Sequence, residues 1–64
     1  MNHSKHVQIC VSTSDYEDFY RGTAEYGGIV WEGMSRDRGR AVAFALEKLA
    51  EALKNKEVEI EVSD

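Results

Sequence analysis

From His6 to Thr13 apolar and polar positions alternate without a break. Val7, Ile9 and Val11 fall on one side, and His6, Gln8, Cys10 and Ser12 on the other. A period of two predicts a half-buried strand with the three aliphatic side chains turned toward a core. The Ser12-Thr13-Ser14-Asp15 cluster then supplies turn formers, and Asp15-Tyr16-Glu17-Asp18 reads as a solvated connection. Two further strands fit Phe19–Tyr26 and Ile29–Met34, with Gly27-Gly28 between them. Two glycines in that position signal a tight hairpin, since they accept the positive φ that a type I′ turn demands. A loop of those two residues sets the register: Tyr26 opposite Ile29, Ala24 opposite Trp31, Gly22 opposite Gly33. Glu25, Thr23 and Arg21 then meet Val30, Glu32 and Met34 on the other face. The first set is the apolar one and is expected to face the core.

Helical spacing takes over after Ser35, a candidate N-cap with Asp37 in the first turn. Val42, Ala45, Leu46, Leu49 and Leu53 recur on one face, and Ala41, Ala43, Ala50 and Ala52 favour the helix along its flanks. Gly39 costs about 1 kcal/mol against alanine inside a helix. It therefore marks either a close approach to the sheet at Gly22 or Gly33, or a late helix start. Asn55 is placed to end the helix in the left-handed conformation. From Glu57 to Val62 the alternation returns, with Val58, Ile60 and Val62 opposite Glu57, Glu59 and Glu61. This segment reads as a short fourth strand whose glutamate row guards an edge.

The expected fold is α+β in the order β-β-β-α-β: an antiparallel sheet of three to four strands with one helix on one face. It is expected to form a single domain over residues 1–64, with residues 1–5 a flexible tail. One helix covers one sheet face, so the expected core is Val7, Ile9, Val11, Ala24, Trp31, Leu46 and Leu49. The other face, with Gln8, Cys10, Ser12, Thr23, Glu25 and Glu32, is left for water or a partner.

Composition narrows the function classes. At 64 residues and 7.2 kDa the chain has room for one small core. Hydrophobic residues at 42% and charged residues at 31% indicate a globular domain rather than disorder. One cysteine forms no internal disulfide, and with two histidines it makes no structural zinc pattern. No run approaches the roughly 18 apolar residues of a membrane span, and the polar N-terminus does not read as a signal peptide. A reduced, cytoplasmic setting is the expectation. The net charge of −4 is uneven, because Arg36, Arg38 and Arg40 crowd into five residues with only Asp37 against them. An acidic chain with one basic spot is a poor general ligand for nucleic acid, whose affinity scales with the phosphates neutralised.

Candidate chemistry is sparse. Cys10 and His6 share a strand face, but four residues of strand separate them by roughly 13 Å, beyond the reach nucleophile activation needs. Asp15, Glu17 and Asp18 lack the glycine and closing glutamate of a calcium loop. Trp31, on the derived register, fills the core in preference to acting as a stacking platform for bases. No catalytic residue, metal set or cofactor is expected, and the chain does not read as an enzyme. Arg36, Arg38 and Arg40 are the informative charges. They sit where the helix macrodipole is positive, so each is unfavourable by about 0.3–1 kcal/mol if close to the end. Charges placed against the local field point to an external use, such as a carboxylate- or phosphate-bearing partner. The expected partner-binding residues are Arg36, Arg38, Arg40, Glu25 and Glu32.

Glu32-Gly33-Met34-Ser35, leading into a helix that ends Leu46-Glu47-Lys48-Leu49-Ala50-Glu51-Ala52-Leu53, resembles the N-terminal domain of HicB-type antitoxins across residues 6–62. The resemblance implies a partial RNase H-like fold without catalytic residues, in a bacterial or phage accessory protein that binds and neutralises a small ribonuclease toxin. The chain departs from that family at Tyr26-Gly27-Gly28, which replaces a proline-rich segment. The family's C-terminal DNA-binding module is not matched either, so operator binding is not carried over. Gly33-Met34-Ser35-Arg36 is also similar to the helix entry of double-stranded-RNA-binding domains. That likeness implies phosphate contacts from Ser35, Arg36 and Arg38, with Asp37 standing where a lysine belongs. The leading expectation is a protein-interaction module whose partner is a small basic toxin or an acidic protein. It is expected to work as a homodimer, because so small a sheet leaves an open face and edges. Nucleic-acid binding through the start of the helix is the alternative.

Overall fold

The computed structural model describes residues 7–60. Three strands, β1 (Cys10–Asp15), β2 (Tyr20–Tyr26) and β3 (Ile29–Ser35), form an antiparallel sheet in sequence order, followed by one helix, α1 (Arg38–Lys54). The arrangement is α+β, with the helix packed on one face of the sheet.

The β2–β3 hairpin has the register its two glycines imply. Tyr26 pairs with Ile29, Ala24 with Trp31 and Gly22 with Gly33, while Gly27 and Gly28 take φ of 64° and 82°. Val11 of β1 pairs with Ala24, and Thr13 with Gly22, so these residues belong to the helix-side face. Cys10, Ser12 and Ser14 belong to the open face. The first strand lies further along the chain than its aliphatic alternation suggests. It begins at Cys10 and runs through the Ser-Thr-Ser cluster that reads as a turn, and residues 7–9 carry no strand. His6 lies outside the described residues. The Ser12 and Thr23 hydroxyls, 2.6 Å apart across the pair, show what the polar segment gains by pairing.

The core is built from small residues. Ala24, Ala41, Ala45, Leu49 and Ala52 are buried, and Tyr26, Trp31 and Leu53 pack against the Ala24–Ala45–Leu49 cluster. The reason is the closeness of the helix. A Cβ at Gly22 would meet the Ala41–Val42 peptide, and one at Gly33 would stand 2.5 Å from the Phe44 Cβ. The helix therefore lies over β2 and β3 and scarcely touches β1. That placement corrects the expected core. Val11 is on the predicted face but 51% exposed, and Ile9 and Leu46 are each 38% exposed.

Both helix ends differ in detail from the sequence reading. Asp37, not Ser35, is the N-cap: its Oδ1 accepts from the Gly39 and Arg40 N–H groups at 2.8 and 3.4 Å. Ser35 acts one step earlier, its Oγ accepting from the Asp37 N–H at 3.2 Å. Gly39 thus belongs to a late helix start, and a Cβ there would meet only the Asp37 carboxylate. At the other end Lys56, not Asn55, adopts the left-handed conformation, at φ 60°. The Lys56 N–H donates to the Leu53 carbonyl and the Glu57 N–H to the Ala52 carbonyl, the paired bonds of a Schellman motif. The fourth strand expected over Glu57–Val62 is absent from residues 57–60, and the rest of that segment lies outside the described residues. So does the tail expected over residues 1–5.

Candidate functional site

One end of the sheet brings Arg36, Arg38 and Arg40 together with Asp15, Glu17, Asp18 and the aromatic residues Tyr16, Phe19 and Tyr20. There β1 and β2 are joined by a tight turn in which the Tyr16 N–H donates to the Phe19 carbonyl at 2.8 Å. Only Glu17 and Asp18 project at its tip. The Tyr16 and Phe19 rings stack on each other, 5.1 Å between centroids and 14° from parallel. Pairing of Tyr20 with Ser35 brings the junction between β3 and α1 alongside this turn. Between them lies an open cleft of about 520 Å³ lined by Asp15, Tyr16, Glu17, Asp18, Phe19, Tyr20 and Arg36.

The arginines are held at this end by different means. Arg36 lies before the helix, not within it, and borders the acidic turn. Arg38 is the first helical residue, and its guanidinium lies over the Tyr20 ring, 5.0 Å from the centroid. Such a contact contributes about 0.5–1 kcal/mol at an exposed site, enough to offset the unfavourable macrodipole term. Arg40 lies within the first turn and is exposed. The Asp37 carboxylate sits among the three as the helix cap, and no acidic residue follows it in the first turn.

The open sheet face forms a second surface. Arg21 Nη1 lies 3.3 Å from Glu32 Oε2 across the β2–β3 pair. The Arg21 guanidinium also lies 5.8 Å from the Tyr16 ring centroid, which ties this face to the turn. Glu25 stands near the glycine hairpin, paired with Cys10 on one side and Val30 on the other. Val30 and Met34, at 51% and 55% exposure, add apolar area at the two ends of β3.

The expected partner-binding residues therefore divide. Arg36, Arg38 and Arg40 share the sheet end, Glu32 is engaged by Arg21 in the middle of the open face, and Glu25 lies toward the opposite end. The stacked pair Tyr16–Phe19 was not legible as part of a site. Its signal is two aromatics flanking a two-residue acidic tip. Trp31 packs toward the helix with the core cluster, as the register requires. Among the described residues no group of three or more histidine, cysteine or acidic side chains could hold a metal ion, and no helix is long and apolar enough to cross a membrane. No protein-family model, curated protein or solved structure matches the chain.

Proposed function

We propose that the chain is a non-catalytic protein-interaction module, acting as a homodimer and comparable in role to the toxin-binding domain of HicB-type antitoxins. Its partner is captured at the sheet end bearing Arg36, Arg38 and Arg40, with the open face of Glu25 and Glu32 as flanking surface. The observation that supports this most is the Arg38 guanidinium braced over Tyr20 while Arg36 borders Asp15, Glu17 and Asp18. Cations placed against the helix field and steadied by a ring are prepared for a ligand outside the molecule. The same end carries both signs of charge, which suits a protein surface of mixed charge. Phosphate recognition through Ser35, Arg36, Arg38 and Arg40 fits less well, since Asp15, Glu17, Asp18 and Asp37 would repel a nucleic-acid backbone.

The test is capture of the protein partner by the wild-type chain and by the double variant Arg36→Glu with Arg38→Glu. Loss of capture with a nearly unchanged melting temperature supports the assignment, and unaltered capture removes it. Salt-dependent binding of duplex RNA by the wild-type chain would move the assignment to the nucleic-acid reading.

A further inference from the structure

Strand β1 is the least covered element of the fold. All six of its residues are exposed, because the helix lies over its neighbours. Its outer edge pairs with no strand among the described residues. Soluble proteins usually blunt such an edge with lysine, proline or a bulge. In Cys10–Asp15 there is neither lysine nor proline, and the one charge is Asp15 at the far end.

The surroundings of this edge are apolar. Gly22 meets the helix at Ala41–Val42 and Gly33 meets it at Phe44, so Val42 lies on the β1 side of the helix and Phe44 on the β3 side. At 100° per residue Leu46 and Leu53 share the flank of Val42, whereas Lys48 and Glu51 follow Phe44. The β1 flank is thus aliphatic and the β3 flank charged. Ile9, Val11 and Leu46 are partly exposed on the β1 side, and Ile29 and Phe44 on the β3 side, where charged neighbours accompany Phe44.

We propose that two copies of the chain pair antiparallel through β1, joining their sheets into one of six strands. In this arrangement Val11 lies opposite Val11 of the second copy, Cys10–Ser12 of the two copies form the paired segment, and both helices lie on the same face. The pairing is isologous, so one strand supplies both halves of the interface. Charge selects the occupant. An acidic or basic peptide finds no opposite charge along β1 except at Asp15, whereas two copies of β1 bring no like charges opposite each other. Self-pairing of β3 in the equivalent way would set Glu32 against Glu32. The chain's net charge of −4 opposes association at long range, so added salt is expected to strengthen the dimer. This inference rests on the homodimer assigned above and names its interface, independently of where a different protein is captured.

The single cysteine gives a direct reading. In this register Cys10 faces Ser12 of the other copy and lies diagonal to its Cys10, at a Cα separation of about 7–8 Å. A short bifunctional thiol reagent is expected to convert purified wild-type protein to covalent dimer. Sedimentation equilibrium is expected to show a concentration-dependent dimer that Val11→Lys weakens at least tenfold, while Val30→Lys on β3 leaves it intact. Far-UV circular dichroism checks that each variant keeps its helix. If Val11→Lys does not fold, Cys10 cross-linking of the wild-type chain decides the question alone. A wild-type chain that stays monomeric at millimolar concentration, or a dimer lost in Val30→Lys and kept in Val11→Lys, overturns the proposal. Partner capture by the arginine end is measured separately: a monomeric wild-type chain removes the homodimer together with this interface but not partner capture, whereas a dimer lost only in Val30→Lys keeps the homodimer and removes this interface.

Discussion

Gly22 lies against the Ala41 carbonyl group closely enough that a Cβ on it would stand 2.5 Å from the Ala41 carbonyl carbon. Gly33, its partner across β2–β3, meets the same carbonyl from the next strand, at 2.6 Å to the oxygen. The obstructing atoms are helix backbone and, at Gly33, also the Phe44 Cβ, none of which can swing aside as the far end of a flexible side chain would. Gly22→Ala and Gly33→Ala are each expected to destabilise the domain by at least the ~1–3 kcal/mol typical of overpacking. Since a domain of this size rarely has more than about 3–5 kcal/mol in hand, the double variant is expected to be unfolded. Urea denaturation followed by tryptophan fluorescence reads both, because Trp31 packs on the displaced cluster. A wild-type midpoint for Gly22→Ala would show that the helix does not approach the sheet this closely.

The glycine pair also explains what could and could not be read from the sequence. The hairpin register was legible because Gly27-Gly28 leaves one short loop and one apolar face. Gly22 and Gly33 were legible as partners on that face and as a place of close approach, but through Gly39, whereas Ala41, Val42 and Phe44 are what meet them. That contact depends on a three-dimensional approach which periodicity does not report. Once the helix settles over the two glycines it is drawn toward β2 and β3, and Val11 and Leu46 lose the cover that their pattern implies. The polar Ser12–Ser14 run hides β1 for a related reason. Its pairing is supported by a cross-strand hydroxyl contact rather than by burial. The arginine end was legible as charge, whereas the aromatic turn beside it needed the fold to bring residues 16–20 against residues 35–38.

Asp37 is the acid that caps the positive end of α1, and no acidic residue follows it in the first turn. Its carboxylate satisfies two otherwise orphaned N–H groups in the company of Arg36, Arg38 and Arg40. Replacement of such a cap by alanine costs about 1 kcal/mol, and here the unopposed arginines add to that cost. Asp37→Ala is therefore expected to lower the thermal midpoint clearly. Asp37→Asn keeps the acceptor, loses the charge, and is expected to fall between the two. Equal midpoints for wild type and alanine variant would show that the cap contributes nothing.

Lys56 holds a left-handed backbone, φ 60°, at the position where a Schellman motif favours glycine. A side chain in that region costs roughly 1–2 kcal/mol, partly offset in a glycine variant by the greater entropy of the unfolded chain. Lys56→Gly is accordingly expected to stabilise the domain by about 0.5–1 kcal/mol. Asn55→Gly, at φ −85°, is expected to give no gain. Chemical denaturation of the two variants side by side distinguishes them, and a gain at position 55 instead of 56 would relocate the cap.

Arg38 and Tyr20 join the stability of the fold to its proposed use. The guanidinium lies 5.0 Å from the ring centroid, and Tyr20 is itself fixed by pairing with Asp15 and Ser35. A double-mutant cycle with Arg38→Met and Tyr20→Leu isolates their interaction from the individual losses of packing. The expected coupling is about 0.5–1 kcal/mol for an exposed cation–π pair. Because the ring orients Arg38 without touching a partner in this reading, Tyr20→Leu is also expected to weaken partner capture while leaving Arg38 in place. The loss should be smaller than that caused by Arg38→Glu. Zero coupling together with undiminished capture by Tyr20→Leu would show that the ring does not prepare the arginine, and would leave charge alone to account for binding at this end of the sheet.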